Sequence, residues 1–273
     1  MILQDVCREK LDWDDPLNET ILKRWMSWKS GLNVLEQLSI PRCYLPSDFG
    51  TPTTTQIHTF SDASTEGYGQ CAYLRFVNAA KRVHVTLVSS KARVTPLKSV
   101  TVPRLELQAA RSAIDLSAKV THELALRSVD RYFYSDSEVV LGYIKNTETR
   151  FHTYVANRVD QIRDRSDPSM WFHVPTNSNP ADYASRGLSP SQILSSHSDW
   201  FEGPSFLQSE PIILPPQPKL LISPEDNEVK IVLTTQTRNV NVIYQICSAF
   251  STLKRAIKAV SGLQSLITHK NPI

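Results

Sequence analysis

"FSDASTEGYG", residues 60–69, ends an aromatic, β-branched run on a carboxylate and then opens a turn with small residues. "RYFYSDSE", residues 131–138, does the same. Two strands that each close on Ser-Asp, with a long helical stretch between them, decide the fold. A strand, a helical crossover and a second strand form a right-handed parallel pair, so both ends reach the same edge of one sheet. On that pairing Asp62 and Asp136 stand side by side.

Outward from these strands the pattern is regular. "IHTFSD" (57–62), "YGQCAYLRFV" (68–77) and "RVHVTLVSS" (82–90) read as an antiparallel meander joined by "ASTEG" and "NAAK". "LELQAARSAIDLSAKVTHEL" (105–124) predicts a long helix, with Pro103 placed near its first turn. "SEVVLGYIKN" and "RFHTYVANRVDQIRDR" (150–165) predict two further helices, and "MWFHVP" (170–175) a fifth strand. "NPADYASRG" (179–187) predicts a helix capped by Asn179, with Pro180 first and Gly187 as its stop. The order βββαβα(α)βα is that of an α/β domain with a five-stranded mixed sheet.

The flanks differ. Residues 1–50 hold an amphipathic helical pattern through Ile21, Trp25, Trp28, Leu32 and Leu35, expected to connect or pack. The α/β domain is expected over 51–190, a proline-rich semi-rigid linker over 191–238, and a helical segment over 239–273.

Composition excludes little. Of 273 residues, 41% are hydrophobic and 21% charged, as in ordinary globular proteins. Thirty Lys and Arg against 27 Asp and Glu leave a net charge of +3, too small to announce a polyanionic partner. Cys7, Cys43, Cys71 and Cys247 show neither zinc spacing nor a disulfide framework, which favours a reduced, intracellular setting. No run approaches the roughly 20 apolar residues of a bilayer span, and Asp5, Arg8, Glu9 and Lys10 stand where a signal peptide would be apolar, so no membrane is expected.

Adjacent carboxylates raise each other's pKa unless a cation lies between them. Magnesium, a hard ion that prefers oxygen ligands, suits Asp62 and Asp136. Two more acids fit the same edge: Glu106, flanked by Leu105 and Leu107 in the first turn of the long helix, and Asp182 in "NPAD". Four such acids can hold two cations about 4 Å apart, an arrangement that activates water and stabilises a leaving oxygen in phosphodiester hydrolysis. Taken singly, Asp62 is an ordinary turn residue, Asp136 a helix cap, and Glu106 and Asp182 acids at helix starts. Their joint placement on one fold makes the case for a site.

The motifs "FSDAS…YG", "SKARVTPLK…TVPRLELQAA", "YSDSEVVLGYI", "YVANRV" and "WFHVPTNSNPADYASRG…W" followed by "GPSFL" resemble the ribonuclease H region in the polyprotein of Pao/BEL-type LTR retrotransposons, a family also catalogued as a peptidase (A17). "DDPLNETILKRWMSWKSGLNVLEQLSIPRC" resembles the segment that follows reverse transcriptase, and the tail the connection towards an integrase. The resemblance implies a ribonuclease H-like fold with helices on both sheet faces. It implies two magnesium ions held by Asp62, Glu106, Asp136 and Asp182, and cleavage of the RNA strand of RNA/DNA hybrids. It further implies reverse transcriptase and integrase domains of the same polyprotein as partners, within a cytoplasmic virus-like particle. The mobile histidine that many retroviral relatives carry in a glycine-rich loop before the last Asp is missing: the chain has "TNSN" there, and His173, inside the fifth strand, reads as structural.

Hybrid binding would rest on phosphate contacts from Lys91, Arg93, Lys98 and Arg104 in the basic loop before Glu106, and from Arg158 and Arg186. Three rivals stand against this reading. An aspartic peptidase needs Asp-Ser/Thr-Gly, whereas Asp62 is followed by Ala63-Ser64 and Asp136 by Ser137-Glu138. An integrase of the same fold needs a later glutamate where Trp171 stands, and a zinc-binding His/Cys set that the chain lacks. A catalytically silent binding or connecting module would keep the fold without the chemistry.

Overall fold

Three successive twelve-residue strands set the architecture, the middle one buried along nearly its whole length and the third turning outward. β1 (Pro52–Ala63), β2 (Gly67–Asn78) and β3 (Val83–Val94) form the meander, with Asp62 opposite Gly69 in the first hairpin. β4 (Asp130–Ser135) pairs parallel to β1 and β5 (Trp171–His173) parallel to β4, giving the order β3-β2-β1-β4-β5. This is the mixed five-stranded sheet expected from the motif order. The structure is a computed structural model and describes residues 2–195, 200–223 and 225–230, together with 257, 258 and 261. Residues 1–230 make up one compact unit and 231–273 a second. The helical pattern around 239–268 otherwise lies outside the described residues.

Two short helices precede the sheet, α1 (Ile2–Arg8) and α2 (Glu19–Gly31), the latter capped by Asn18, whose side chain accepts from the Ile21 amide at 2.8 Å. The predicted N-terminal helix therefore stops at Gly31 and continues only as a 3₁₀ segment, Leu32–Gln37. Helix α3 (Val102–Glu123) begins earlier than expected, because Pro103, with its fixed φ and no N–H to lose, fits the first turn. Helices α4 (Glu138–Lys145) and α5 (Thr153–Arg163) complete one layer. Leu107, Ala110 and Ile114 of α3, Val140 and Ile144 of α4, and Val155 and Val159 of α5 close on Phe133 and Trp171. Full burial of a Leu, Ile, Val or Phe side chain stabilises by about 1.5–3 kcal/mol.

On the opposite face Phe60, Tyr73 and Tyr134 are buried beneath α6 (Ala181–Arg186), which follows β5, and beneath the segment after Trp200; α7 (Pro190–Ser195) comes after α6. This corrects the expected linker. Leu207 is fully buried, Phe206, Ile212 and Leu214 pack against the same cluster, and the Tyr73 hydroxyl donates to the Trp200 carbonyl at 2.8 Å. Arg75, only 2% exposed, donates to the Leu207 and Ser209 carbonyls, to Gln56 and to the Glu210 carboxylate. Prolines hold the strap extended, and the apolar residues between them bind it to the sheet.

Candidate active site

The parallel register of β1 and β4 pairs Ser61 with Ser135, which brings the next residues, Asp62 and Asp136, to the same edge. Asp136 stands between the end of β4 and α4, whose cap is Ser137. Helix α3 delivers Glu106 from one face, and α6 delivers Asp182 from the other. Gly69 allows α6 to lie directly on β2: a Cβ there would stand 2.6 Å from the Ala184 Cβ. Gly187, with φ of 86°, then ends α6 in a conformation that favours glycine.

The electrostatics are those of crowded anions. Burial pushes the Asp62 carboxyl up to about 7; a hydrogen bond from Ser185 opposes this, and the charges of Asp136 and Asp182 add to it. Burial also raises Glu106, against a hydrogen bond from Ser137 and with a further push from Asp136. The sequence reading missed the polar groups that hold these acids. The Ser137 hydroxyl donates to Glu106 at 2.6 Å, the Thr176 hydroxyl to Asp136 at 2.7 Å, and the Ser185 hydroxyl to Asp62. The Asn179 side-chain amide, 3% exposed, donates to the Ser61 carbonyl at 3.1 Å and to Asp136 at 3.3 Å, while its oxygen accepts from the Ala181 amide. Their only signal in sequence was a small polar residue beside each acid, in "SDSE" and "TNSNPADYAS".

All four acids belong to this one edge as oxygen donors of the kind a hard divalent cation takes. Among the described residues no three His, Cys, Asp or Glu side chains converge closely enough to enclose a single ion. The carboxylates instead turn onto the hydroxyl and amide groups named above, and Asp182 onto Arg186. In the chemistry of its donors, and in the raised proton affinity of Asp62 and Glu106, the set fits magnesium.

The basic residues divide. Lys91 and Arg93 are exposed on the end of β3, where Ala92 pairs with Gly69 and so lies two strands from Asp62, and Lys98 is exposed in the loop that follows. Arg104, Arg158 and Arg186 each have partners within the chain. Arg104 is bound by Glu228 through Nε at 2.5 Å and Nη2 at 3.1 Å and lies 4.8 Å from the Tyr154 ring centroid. Arg158 stacks 3.5 Å from that centroid and donates to Gln108, and Arg186 pairs with Asp182. His173 has its Nδ1 buried without a hydrogen-bond partner in the described structure, while its backbone exchanges bonds with Gln217.

Among solved structures the chain is similar to the N-terminal RNase H domain of a Mycobacterium tuberculosis protein, fused to maltose-binding protein (14% identity, 54% of this chain and 99% of that one, TM-score 0.35). It is also similar to RNase H1 from the halophilic archaeon Halobacterium salinarum NRC-1 (15%, 49% and 95%, TM-score 0.31). A third is LC11-RNase H1, isolated from compost, in complex with an RNA/DNA hybrid (13%, 52% and 99%, TM-score 0.33). No curated protein matches the chain. A family model described as "Pao retrotransposon-like RNaseH-like domain" matches residues 1–137, a span that contains Asp62, Glu106 and Asp136. With half its length in that match, the chain belongs to the Pao retrotransposon-like RNaseH-like domain family.

Proposed function

We propose that this chain is a magnesium-dependent ribonuclease of the H type, which hydrolyses the RNA strand of RNA/DNA hybrids during reverse transcription of a retrotransposon. One observation carries the reading: the parallel pairing of β1 with β4 gathers Asp62 and Asp136 at an edge that α3 and α6 supply with Glu106 and Asp182. Crowded, partly buried carboxylates are costly without a cation. A stabilising purpose for such a cluster is hard to name, whereas two-cation phosphodiester chemistry requires it.

In this reading Asp62, Glu106, Asp136 and Asp182 hold two magnesium ions. Bound there, the ions supply positive charge to offset what develops on the phosphodiester oxygens as the bond breaks. Ser137, Thr176, Asn179 and Ser185 fix the carboxylates so that little reorganisation accompanies the reaction. Lys91, Arg93 and Lys98 offer phosphate contacts at the same edge. The partners in this reading are the reverse transcriptase and integrase of one polyprotein, and the setting is a cytoplasmic particle.

The test is incubation of the purified chain with magnesium and a hybrid labelled in turn on its RNA and its DNA strand. The reading expects cleavage confined to the RNA strand and abolished by chelator. A hybrid that is bound but left intact under every divalent cation tried would favour the silent module instead.

A further inference from the structure

Behind the acidic edge, a cavity of about 270 Å³ lies where α3 meets β2 and β3. Lys91 and Arg93 of β3, Lys119 of α3 and Gln70 of β2 line it, beside Arg111 and Asp115. Asp115 is already taken by Arg111 at 2.9 Å and Arg165 at 2.5 Å. Lys91, Arg93 and Lys119 have no acidic partner among the described residues, so the cavity carries uncompensated positive charge.

Gln70 is the unusual member. It is 2% exposed, and its Oε1 has no hydrogen-bond partner in the described structure. Buried amide oxygens are nearly always paired, and leaving one unpaired is costly. An acceptor set among cations calls for a ligand that brings a hydroxyl donor together with anionic oxygens. A DNA backbone has the anions and no donor, whereas the ribose 2′-hydroxyl of an RNA backbone gives both.

The position suits such a ligand. Gln70 pairs with Ser61, the residue before Asp62, and with Lys91, so the cavity begins beside the acids. From Glu106 to Lys119, α3 advances roughly 20 Å at 1.5 Å per residue, the length of about six base pairs. We propose that this groove carries the sugar-phosphate backbone of the RNA strand away from the acids, with phosphates on Lys91, Arg93 and Lys119 and a 2′-hydroxyl donating to Gln70 Oε1. The proposal rests on the hybrid-nuclease reading and extends its Lys91 and Arg93 contacts to Gln70 and Lys119.

The experiment uses the full chain carrying Asp62→Asn, so that bound hybrid survives. Binding to a long RNA/DNA hybrid and to DNA duplex of the same sequence is followed by fluorescence anisotropy over a range of salt. Adding Lys119→Ala should weaken hybrid binding and lower the slope of log affinity against log salt by about 0.9. Adding Gln70→Leu should cut the preference for hybrid over DNA duplex by roughly fivefold, the worth of one hydrogen bond, while the melting temperature holds or rises. Hybrid affinity, salt slope and preference unchanged in both variants, with the chain that keeps Asp62 cleaving hybrid, would overturn the groove and leave the nuclease reading standing. A fall in melting temperature for Gln70→Leu would also overturn it, since the amide would then have a structural partner. If the Asp62→Asn chain binds no hybrid at all, the underlying reading fails and the groove with it.

Discussion

Gly69→Ala adds one methyl group where the sheet leaves no space for it. The new Cβ would stand 2.6 Å from the Ala184 Cβ and 2.8 Å from the Ala184 carbonyl carbon. Carbon atoms in contact normally lie about 3.5–4.0 Å apart, so α6 must retreat from β2 by about 1 Å. Overpacking of this kind costs about 1–3 kcal/mol. For a unit of this size about 2 kcal/mol lowers Tm by roughly 4–8 °C. The same retreat moves Asp182, and also Ser185, which holds Asp62. A displacement of about 1 Å in a reacting geometry costs on the order of a hundredfold in rate. Thermal unfolding and hybrid cleavage measured on one preparation check both effects. Adding Ala184→Gly removes the Cβ contact but leaves the backbone contact at 2.8 Å, so it should restore Tm only in part. A Gly69→Ala chain with unchanged Tm and unchanged cleavage would refute the claim that close approach of α6 builds the site.

Three further outcomes follow from the same contacts. Because Asp62 titrates near 7 in the folded chain and near 3.8 when unfolded, the native state holds the extra proton between those values. Metal-free stability therefore falls as pH rises from about 4 to about 7, and Asp62→Asn should remove that fall and raise Tm at pH 8, as scanning calorimetry across pH would show. Glu210→Ala leaves Arg75, 2% exposed, without its counter-ion and should cost roughly 2–3 kcal/mol in urea unfolding. Asn179→Ala frees Asp136 and the end of β1 together and should lower kcat for hybrid cleavage roughly tenfold with little change in KM, whereas Asn179→Asp, which keeps the cap but not the donor, should not rescue it.

The sheet and its acids could be read from sequence because their determinants are local. "IHTFSD" and "RYFYSD" carry strand pattern, strand end and carboxylate in six residues each, and chirality fixes how a helical crossover joins them. "NPAD" announced α6 for the same reason. What escaped depends on partners far along the chain. Arg104 reads as a free cation beside Glu106 until Glu228, 124 residues away, closes on it. Arg75, inside "YLRFV", reads as a strand residue, and only the folded strap from Leu207 to Glu210 shows why a charge can be buried there. Five prolines between 204 and 218 suggest a linker, because the pattern that marks proline as extended does not say what Phe206, Leu207, Ile212 and Leu214 will pack against. Gln70 gave no signal, since a single polar residue in a strand is unremarkable until its burial is known.

The most direct measurement compares the intact chain with Asp62→Asn, Glu106→Gln, Asp136→Asn and Asp182→Asn on an RNA/DNA hybrid in magnesium, with unfolding curves confirming that each chain is folded. The four-carboxylate site predicts that the intact chain cuts the RNA strand and that every substitution lowers the rate by at least a hundredfold, on the order of what a lost charge-stabilising group costs, while folding is retained. Cleavage that persists in the folded Asp62→Asn chain would contradict it.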